Sequence, residues 1–248
     1  MGRRLPKGGR KRRAVRSPMS AEQAKKVLIF GIGRGADIAR RYLQLDTAHQ
    51  VIGYVVDPEY LQATDFHGLP VVAVGDAVAK FSPEIVFAFV PLGAARMNAL
   101  RSEKYRLLKS LGYRFVSYVH SSNKIEGRCE VGENCFILEN QSLNFDVVIG
   151  NNVVMWSGCQ IGDRSRIRDN VHMGAHVVIN GDVEIGEGSY LGSNCTISHG
   201  IRVGHQSFIG ANALISQNTN DSSVHVVEST PAADIDSARF MKLLRHTT

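Results

Sequence analysis

From residue 125 to residue 215, an aliphatic side chain returns at every sixth position of the chain. Neither an amphipathic helix nor a simple alternating strand keeps a period of six over such a length. A period of six predicts a β-helix, in which each coil stacks about 4.8 Å from the last and alternate side chains enter a narrow core. The sixteen positions are Ile125, Val131, Ile137, Leu143, Ile149, Met155, Ile161, Ile167, Met173, Ile179, Ile185, Leu191, Ile197, Val203, Ile209 and Ile215.

All the cysteines share one phase of this repeat, the small position four places after an aliphatic residue. They are Cys129, Cys135, Cys159 and Cys195. This phase points into the core, so we expect compact interior residues instead of ligands or nucleophiles. Their spacing fits no zinc site, and we predict that the protein uses no metal.

Residues 26–120 follow a different pattern, in which short apolar runs such as "KVLIFG", "VIGYVVD" and "EIVFAFV" alternate with helical stretches. Strands separated by helices predict a mostly parallel sheet that is covered on its faces. The segment "RMNALRSEKYRLLKSLGY" is predicted to be a helix that ends near Gly112. Its apolar positions, Met97, Leu100, Leu107, Leu108 and Leu111, are predicted to face the core.

The first strand leads into "GIGRGA", in which Gly31, Gly33 and Ala36 fit a G-x-G-x-x-A turn. Asp57 ends the next strand, where a ribose-binding acid would stand. One alternative is a nicotinamide-dependent oxidoreductase, but about 95 residues form little more than one mononucleotide-binding half. A second alternative is a plain tight turn. We favour a nucleotide or nucleotide-sugar pocket, with substrate-binding candidates Gly31, Gly33, Arg34, Gly35 and Asp57.

The net charge of +6 comes from one end of the chain. Residues 1–18 hold eight of the 29 basic residues and none of the 23 acidic ones, so the body is near neutral and predicts no specific nucleic-acid partner. We interpret this run as a disordered tail, or as an extension before a true start at Met19. Without a long apolar run or a secretory leader, we expect no membrane span and a cytoplasmic protein.

These patterns predict four regions. Residues 1–24 form the basic tail, 25–120 the nucleotide-binding domain, 121–220 the β-helix, and 221–248 a C-terminal extension in which "DIDSARFMKLL" forms a short helix. A β-helical prism has an open end, which such a helix would cap or flank.

The α/β opening "FGIGRGADIARRYL", the segment "EKYRLLKSLGYRFVSYVHSS" and the hexads "AHVVINGDVEIG" and "IGANALISQNT" together resemble one family. It is the sialic-acid O-acetyltransferase-like family of sugar acyltransferases, which are relatives of bacillosamine N-acetyltransferase. The resemblance implies a short Rossmann-like α/β domain, followed by a left-handed β-helix with three hexads to each eighteen-residue coil. It also implies a homotrimer that transfers acetyl from acetyl-CoA to an amino or hydroxyl group of a nucleotide-linked sugar, in surface-glycan biosynthesis.

In similar enzymes an outward histidine is the general base, because an imidazole near pKa 6.5 can accept the proton as the acceptor attacks the thioester. By resemblance this base falls on Asp163, and Arg164 also replaces a histidine. His172 and His176 match positions that keep histidine. The candidate catalytic residues are therefore His172, His176 and Asp163. Asp163 would act as a base with a raised pKa or would orient an imidazole. The alternative function is a catalytically impaired β-helical protein that binds sugar or CoA.

His199 has the hexad phase of Asp163 and lies two coils later, with Gly181 between them. Stacking predicts a separation of about 10 Å and a notch over the glycine. By its local motif His199 is a further candidate base. Asn194 and Asn212 follow His176 at intervals of eighteen and are expected to ladder. By resemblance the acyl donor lies along small outer residues, Gly192, Ser193, Asn194, Gly210 and Ala211.

Overall fold

The computed structural model describes the backbone of residues 13–15 and all of residues 23–244. Most of the predicted basic tail, including Met19, lies outside the described residues. Within it, the strand β1 (Arg13–Val15) pairs antiparallel with the backbone of Cys129–Val131. This short stretch of the tail is thus an edge strand on the second half of the molecule.

An α/β domain follows. Its elements are β2 (Lys26–Phe30), α1 (Arg34–Asp46), β3 (Gln50–Val56), β4 (Asp65–Phe66), β5 (Leu69–Ala73), α2 (Ala77–Lys80), β6 (Val86–Phe89), α3 (Ala99–Ser110) and β7 (Arg114–Phe115), with 3₁₀ turns at Pro58–Tyr60 and Val74–Asp76. The sheet order is β4-β5-β3-β2-β6-β7, and all pairs except β4 with β5 are parallel. Chain order reverses beside β2, since β3 lies on one side of it and β6 on the other.

Helix α3 differs from its predicted packing. Met97 precedes the helix and is exposed, while Leu100 and Leu107 are only half-buried. The buried residues of the helix are Arg101, Ser102, Lys104, Tyr105 and Leu108. The apolar positions of α3 do not predict its buried face, because this helix packs against polar groups.

The second half is a stack of two- and three-residue strands. They are β8 (Tyr118–Val119), β9 (Lys124–Ile125), β10 (Cys129–Val131), β11 (Phe136–Ile137), β12 (Ser142–Leu143), β13 (Val147–Ile149), β14 (Val154–Met155), β15 (Gln160–Ile161), β16 (Arg166–Ile167), β17 (His172–Met173), β18 (Val178–Ile179), β19 (Glu184–Ile185), β20 (Tyr190–Leu191), β21 (Thr196–Ile197), β22 (Arg202–Val203), β23 (Phe208–Ile209), β24 (Leu214–Ile215) and β25 (Val224–His225). The strands β8 and β25 lie outside the predicted range 121–220.

Three parallel sheets form the faces of the prism. Face I holds β8, β11, β14, β17, β20, β23 and β25, face II holds β9, β12, β15, β18, β21 and β24, and face III holds β10, β13, β16, β19 and β22, with β1 at its edge. The strands pair at a spacing of eighteen residues, as Ile161 pairs with Ile179, except that β23 pairs with β25 at a spacing of sixteen. All the predicted hexad positions except the partly buried Ile125 lie buried in one continuous core. The prediction of an α/β domain followed by a left-handed β-helix is confirmed.

The turns of the prism impose a rule that the hydrophobic pattern does not reveal. From Asn134 to Asn212, every sixth residue has a φ between +56° and +76°, apart from Gln206 at +50°. Asparagine, aspartate and glycine tolerate this left-handed conformation best, and they fill most of the positions. Arg164 and His176 also occupy such positions. The polar row of His176, Asn194 and Asn212 follows from this backbone requirement, and no side-chain hydrogen bond links the three among residues 23–244.

The α/β domain sits on face I. Tyr118, Phe136 and Val154 point outward from successive coils and join the core of the α/β sheet beside α1. Tyr118 donates a hydrogen bond to Asp46, and Tyr42 donates one to Glu139. The two domains therefore share a hydrophobic core.

Two features complete the fold. The helix α4 (Ser237–Leu244) is present where a short helix was predicted, and none of its residues is buried. Among residues 23–244, no helix is both long enough and apolar enough to cross a membrane.

Candidate functional site

The strand order reverses at the carboxyl ends of β2 and β6, and the space between the loops that follow these two strands is called the crevice below. Open α/β sheets bind ligands at such a point. The loop after β2 begins at Gly31, whose φ of +96° is a conformation that favours glycine. A side chain there would also meet Leu92 from the loop after β6. The two loops therefore line the same crevice, at the position that the sequence motif predicts.

The amino end of α1 faces this crevice with little obstruction. Gly33 is the N-cap and offers no side-chain hydrogen bond, so the first amides of the helix keep their capacity for an anion. Arg34 is exposed at the first helical position. Gly35 has a different function, because a Cβ on it would lie 2.6 Å from the carbonyl oxygen of Pro91. It lets α1 pack against the neighbouring loop.

Asp57 directly follows β3, as predicted, but its carboxylate already has a partner. Lys104 of α3 donates to its Oδ1 at 2.8 Å, and both side chains are largely buried. The same ammonium group contacts Glu103 at 2.8 Å and lies over the ring of Phe30. A ribose contact through Asp57 stays a prediction, since only part of the carboxylate remains for a ligand. Lys104 was missed because it stands in a helix that the sequence identifies only by its apolar positions.

The corner between faces III and I holds the α/β domain in place through Arg101, which is fully buried. Its guanidinium donates to the carbonyls of Leu92 and Gly93 in the crevice loop. On the β-helix it donates to the carbonyls of Asn152, Asn170 and Val171. Burial lowers the pKa of Arg101 to about 10, so the group stays charged at neutral pH. The crevice loop is thereby fixed to three residues of the β-helix.

An asparagine ladder runs along this same corner. Asn134 bonds Asn152 at 2.7 Å, and Asn152 bonds Asn170 at 2.8 Å. The ladder begins at the end of β6, where the amide of Val90 donates to Asn134, and it ends at Glu187. Every buried amide in it is paired, as buried polar groups require.

His172 lies on face I and does not reach solvent. Its side chain is 7% exposed, and its ring stacks on Tyr190 with centroids 5.3 Å apart. Tyr190 stacks in turn on Phe208. Burial, together with the charge of Arg101, lowers the pKa of His172 to about 3. A neutral ring within an aromatic stack is a packing element, and its Nδ1 has no hydrogen-bond partner in the described chain.

His176 lies at the turn between faces I and II, where its side chain is exposed. A Cβ on Gly158 would fall 2.5 Å from its Nδ1, so the imidazole rests on that glycine in the preceding coil. Asp163 lies at the turn between faces II and III, where its Oδ1 accepts a hydrogen bond from the amide of Phe145. Within one chain, the three predicted catalytic residues thus occupy three different parts of the prism.

The small residues that were predicted to admit the acyl donor lie at the turn that follows face I. Ser193 is half-buried there, and Asn194 and Ala211 are exposed. Gly192 is buried, and a Cβ on it would lie 2.4 Å from the amide nitrogen of Ala211 in the next coil. Gly210 is similarly restricted by the carbonyl of His225, at 3.0 Å. Coil stacking therefore explains both glycines without a ligand.

We expect the substitution Gly192→Ala to lower the free energy of unfolding by about 2 kcal/mol, since the new methyl group must push two coils apart. Chemical denaturation measures this loss. Gly75→Ala is the matched control, because Gly75 is exposed and nothing lies within 4 Å of its Cβ position. A Gly192→Ala protein with wild-type stability and a raised KM for acyl donor would contradict this interpretation and would instead favour a donor contact.

The turn between faces II and III carries a group of charged residues around Asp182. Arg164 donates to its carboxylate twice, from Nε at 2.6 Å and from Nη2 at 2.5 Å. The Nε2 of His199 lies 3.7 Å from Asp182 Oδ2. Gly181, expected to leave a notch, is covered by the His199 ring, whose Nδ1 is 3.4 Å from the Cβ position of that glycine.

The four cysteines are buried and free, as their phase in the repeat predicts. Burial raises the pKa of the Cys159 thiol to about 11, and it raises the pKa values of Cys129, Cys135 and Cys195 to about 12. Thiols with such pKa values are poor nucleophiles at neutral pH. A covalent acyl-cysteine intermediate is therefore not supported.

The repeat region matches a known sequence family. Residues 164–199 and 182–217 match the model of bacterial transferase hexapeptide (six repeats). No curated protein sequence matches the chain. Residues 164–217 thus match hexapeptide repeats of the bacterial transferase type.

Solved structures match both domains together. A mutant of perosamine N-acetyltransferase from Caulobacter crescentus, in complex with CoA and GDP-perosamine, superposes with a TM-score of 0.73 at 23% identity, over 84% of this chain and 97% of that one. The acetyltransferase domain of PglB from Neisseria gonorrhoeae, in complex with acetyl coenzyme A, gives 0.71 at 17% identity, over 84% and 100%. WeeI from Acinetobacter baumannii gives 0.68 at 15% identity, over 82% and 96%. This chain has the same fold as these proteins.

Proposed function

We propose that this protein is an acetyl-CoA-dependent acetyltransferase that acts on an amino or hydroxyl group of a nucleotide-linked sugar. The observation that carries the proposal is the joint match of both domains to a structure that holds CoA and GDP-perosamine. Proteins that share a fold can have many different functions. Here it coincides with a crevice that suits a nucleotide and with repeats of the bacterial transferase type.

The α/β crevice is the proposed site of the nucleotide. Diphosphate oxygens are anions, and the uncapped amides of α1 beside Arg34 offer hydrogen-bond donors and positive charge. Arg101 holds the loop after β6 against the β-helix, so the proposed nucleotide site lies beside the coils. The proposed assembly is a homotrimer in which acetyl-CoA lies between neighbouring prisms, and the proposed pathway is the synthesis of a surface glycan.

The proposed reaction is direct transfer. The acceptor nitrogen or oxygen attacks the thioester carbonyl, the new N–C or O–C bond forms, and the C–S bond breaks to release CoA as thiol. The acceptor proton passes to a base and then to the departing sulfur, which balances the reaction without a covalent enzyme intermediate. The buried cysteines agree with this route.

The catalytic roles of Asp163, His172 and His176 remain predictions. Of these three side chains, that of His176 is exposed enough for a ligand to reach. We propose that His176 contacts the acyl donor or the acceptor where two prisms meet. His172 is enclosed in the aromatic stack, and Asp163 is engaged by the Phe145 amide. Among residues 23–244, none of the three forms an ion pair that would orient it as a base.

The test is release of CoA thiol from acetyl-CoA in the presence of a panel of nucleotide-linked amino sugars. We expect turnover with at least one acceptor, with the acetylated sugar detected by mass spectrometry. The variant Arg34→Met should raise the KM for that acceptor about tenfold and leave the KM for acetyl-CoA unchanged, because it removes one charge from the anion site. Binding of CoA and sugar nucleotide without turnover would overturn the proposal in favour of the non-catalytic alternative.

A further inference from the structure

His199 has a carboxylate closer to its ring than the other described imidazoles of the β-helix have. Among residues 118–225, which the structure describes throughout, it is the histidine with a carboxylate within 4 Å of a ring nitrogen. The nitrogen Nδ1 of His205 instead accepts a hydrogen bond from the amide of Glu187, and His225 contacts Ser223. The His199 side chain is also 71% exposed, so a ligand can reach the ring.

Asp182 is itself held in place. Arg164, in the preceding coil, donates hydrogen bonds to both carboxylate oxygens. This bidentate geometry fixes the orientation of a carboxylate. The hydrogen bond from Arg164 lowers the pKa of Asp182, so the carboxylate is charged at any neutral pH. Arg164 does this from a left-handed backbone position, with a φ of +58° that arginine seldom adopts. An unfavourable residue at that turn is explained by the contact that it makes.

Gly181 explains how His199 relates to Asp163. The Cβ position of this glycine lies 3.4 Å from His199 Nδ1 and 3.4 Å from the carbonyl oxygen of Asp163. The imidazole thus lies over Gly181, on the side of the preceding coil. A larger residue at position 181 would occupy this space. The ring reaches the neighbourhood of the turn where the sequence resemblance places the base.

We propose, resting on the acetyl transfer proposed above, that His199 is the general base of this protein and that Asp182, held by Arg164, is its positioning residue. The acceptor N–H or O–H donates its proton to the imidazole as the N–C or O–C bond forms, and the ring then protonates the thiolate that leaves. The carboxylate stabilises the imidazolium between these steps. A distance of 3.7 Å exceeds a hydrogen bond, and such contacts tighten when substrate binds.

Asp182 faces this imidazole, Arg164 binds Asp182, and Asp163 and Asp146 lie near the Arg164 guanidinium. Neutralising Asp182 removes the carboxylate that stabilises the imidazolium formed during the transfer, so the rate of transfer should fall.

The first experiment compares His199→Asn with the matched control His205→Asn, which alters an exposed turn histidine on another edge. We expect His199→Asn to lower kcat at least 100-fold, with less than a threefold change in the KM for either substrate. We expect His205→Asn to keep kcat within threefold of wild type. Full turnover by His199→Asn overturns the assignment and leaves the acetyltransferase function standing. An inactive wild-type protein overturns the function, and the base assignment with it.

The second experiment tests the positioning residue. We expect Asp182→Asn to lower kcat about tenfold with less than a threefold change in the KM for either substrate, and we expect Asp182→Glu to restore part of the rate. In the His199→Asn background, Asp182→Asn should cause no further loss of kcat, because the carboxylate acts through the imidazole. A wild-type kcat in Asp182→Asn would overturn the pairing.

Discussion

Replacing Arg101 with methionine should lower the free energy of unfolding by about 3 kcal/mol. The methionine side chain fills much of the space but leaves five carbonyl oxygens and the Asn98 side-chain oxygen without the guanidinium that they share. Each buried acceptor that stays unpaired costs about 1–3 kcal/mol. Water can satisfy the carbonyls of Leu92 and Gly93, which are not buried, so we expect a loss near the cost of one or two buried acceptors. Urea denaturation followed by circular dichroism measures the loss.

The same substitution should also loosen the junction between the domains, since the crevice loop and the β-helix corner are both held by this one group. Arg106→Met is the matched control, because Arg106 lies on the same helix and is exposed. We expect the control to stay within about 0.5 kcal/mol of wild type, as surface changes usually do. An Arg101→Met protein that unfolds at the wild-type midpoint would mean that water replaces the guanidinium at no cost.

The β-helix could be predicted from sequence because its core is local in sequence. Each coil repeats the same geometry, so one aliphatic residue every six positions is required and is visible without any knowledge of distant contacts. Ile161, Ile167 and Met173 lie in the core as their period predicts. The position of Cys159 in the repeat predicts its burial for the same reason.

The junction between the domains could not be predicted in this way. Arg101 and Lys104 look like the solvent face of an amphipathic helix, yet they are buried because α3 packs against carbonyl groups and a carboxylate instead of an apolar surface. His172 has the sequence context of an outward residue of a coil. It is buried because the aromatic stack on face I and the docked domain enclose it, and neither leaves a periodic signal.

The candidate site also contains residues that local sequence patterns predict and residues that meet only through long-range contacts. Gly31 and Gly33 could be predicted as site residues because a turn that meets a phosphate needs glycine for local reasons. The Arg164–Asp182–His199 group was missed because its members are eighteen and seventeen residues apart and meet only through stacking. The signal that could have found it is the eighteen-residue coil itself, which places Asp182 directly after Arg164 on one edge. Aligning the sequence in rows of eighteen would have placed them side by side.

Acidification should destabilise this protein between about pH 6.5 and pH 4.5, with His172 as the cause. Burial and the Arg101 charge depress the pKa of His172 to about 3 in the folded state, while an unfolded histidine titrates near 6.5. The unfolded chain therefore binds a proton that the folded chain refuses. Stability from this group is complete above pH 6.5 and is lost as the pH falls toward the folded pKa, at about 1.4 kcal/mol per pH unit. By pH 4.5 the loss should be about 2–3 kcal/mol.

The variant His172→Phe should remove this sensitivity. A phenyl ring fits a stack that already contains Tyr190 and Phe208, and it eliminates an Nδ1 that is buried without a partner. We expect equal or slightly higher stability at pH 7.5 and a much flatter profile down to pH 4.5, measured by urea midpoints at each pH. Carboxylates such as Asp182, whose pKa is lowered, lose their contribution to stability only below about pH 5, so they affect just the lower edge of this window and do so equally in wild type and His172→Phe.

The pH profile also decides what His172 does. A wild-type protein with constant stability from pH 7.5 to pH 4.5 would mean that the folded state accepts a proton on this ring, as a catalytic imidazole must. A steep profile abolished by His172→Phe, with acetyl transfer retained in that variant at pH 7.5, would assign the ring to packing alone. The residue that the sequence resemblance favours as a working histidine would then be one that holds the aromatic stack on face I together, and the proton transfer would need a different imidazole on the prism.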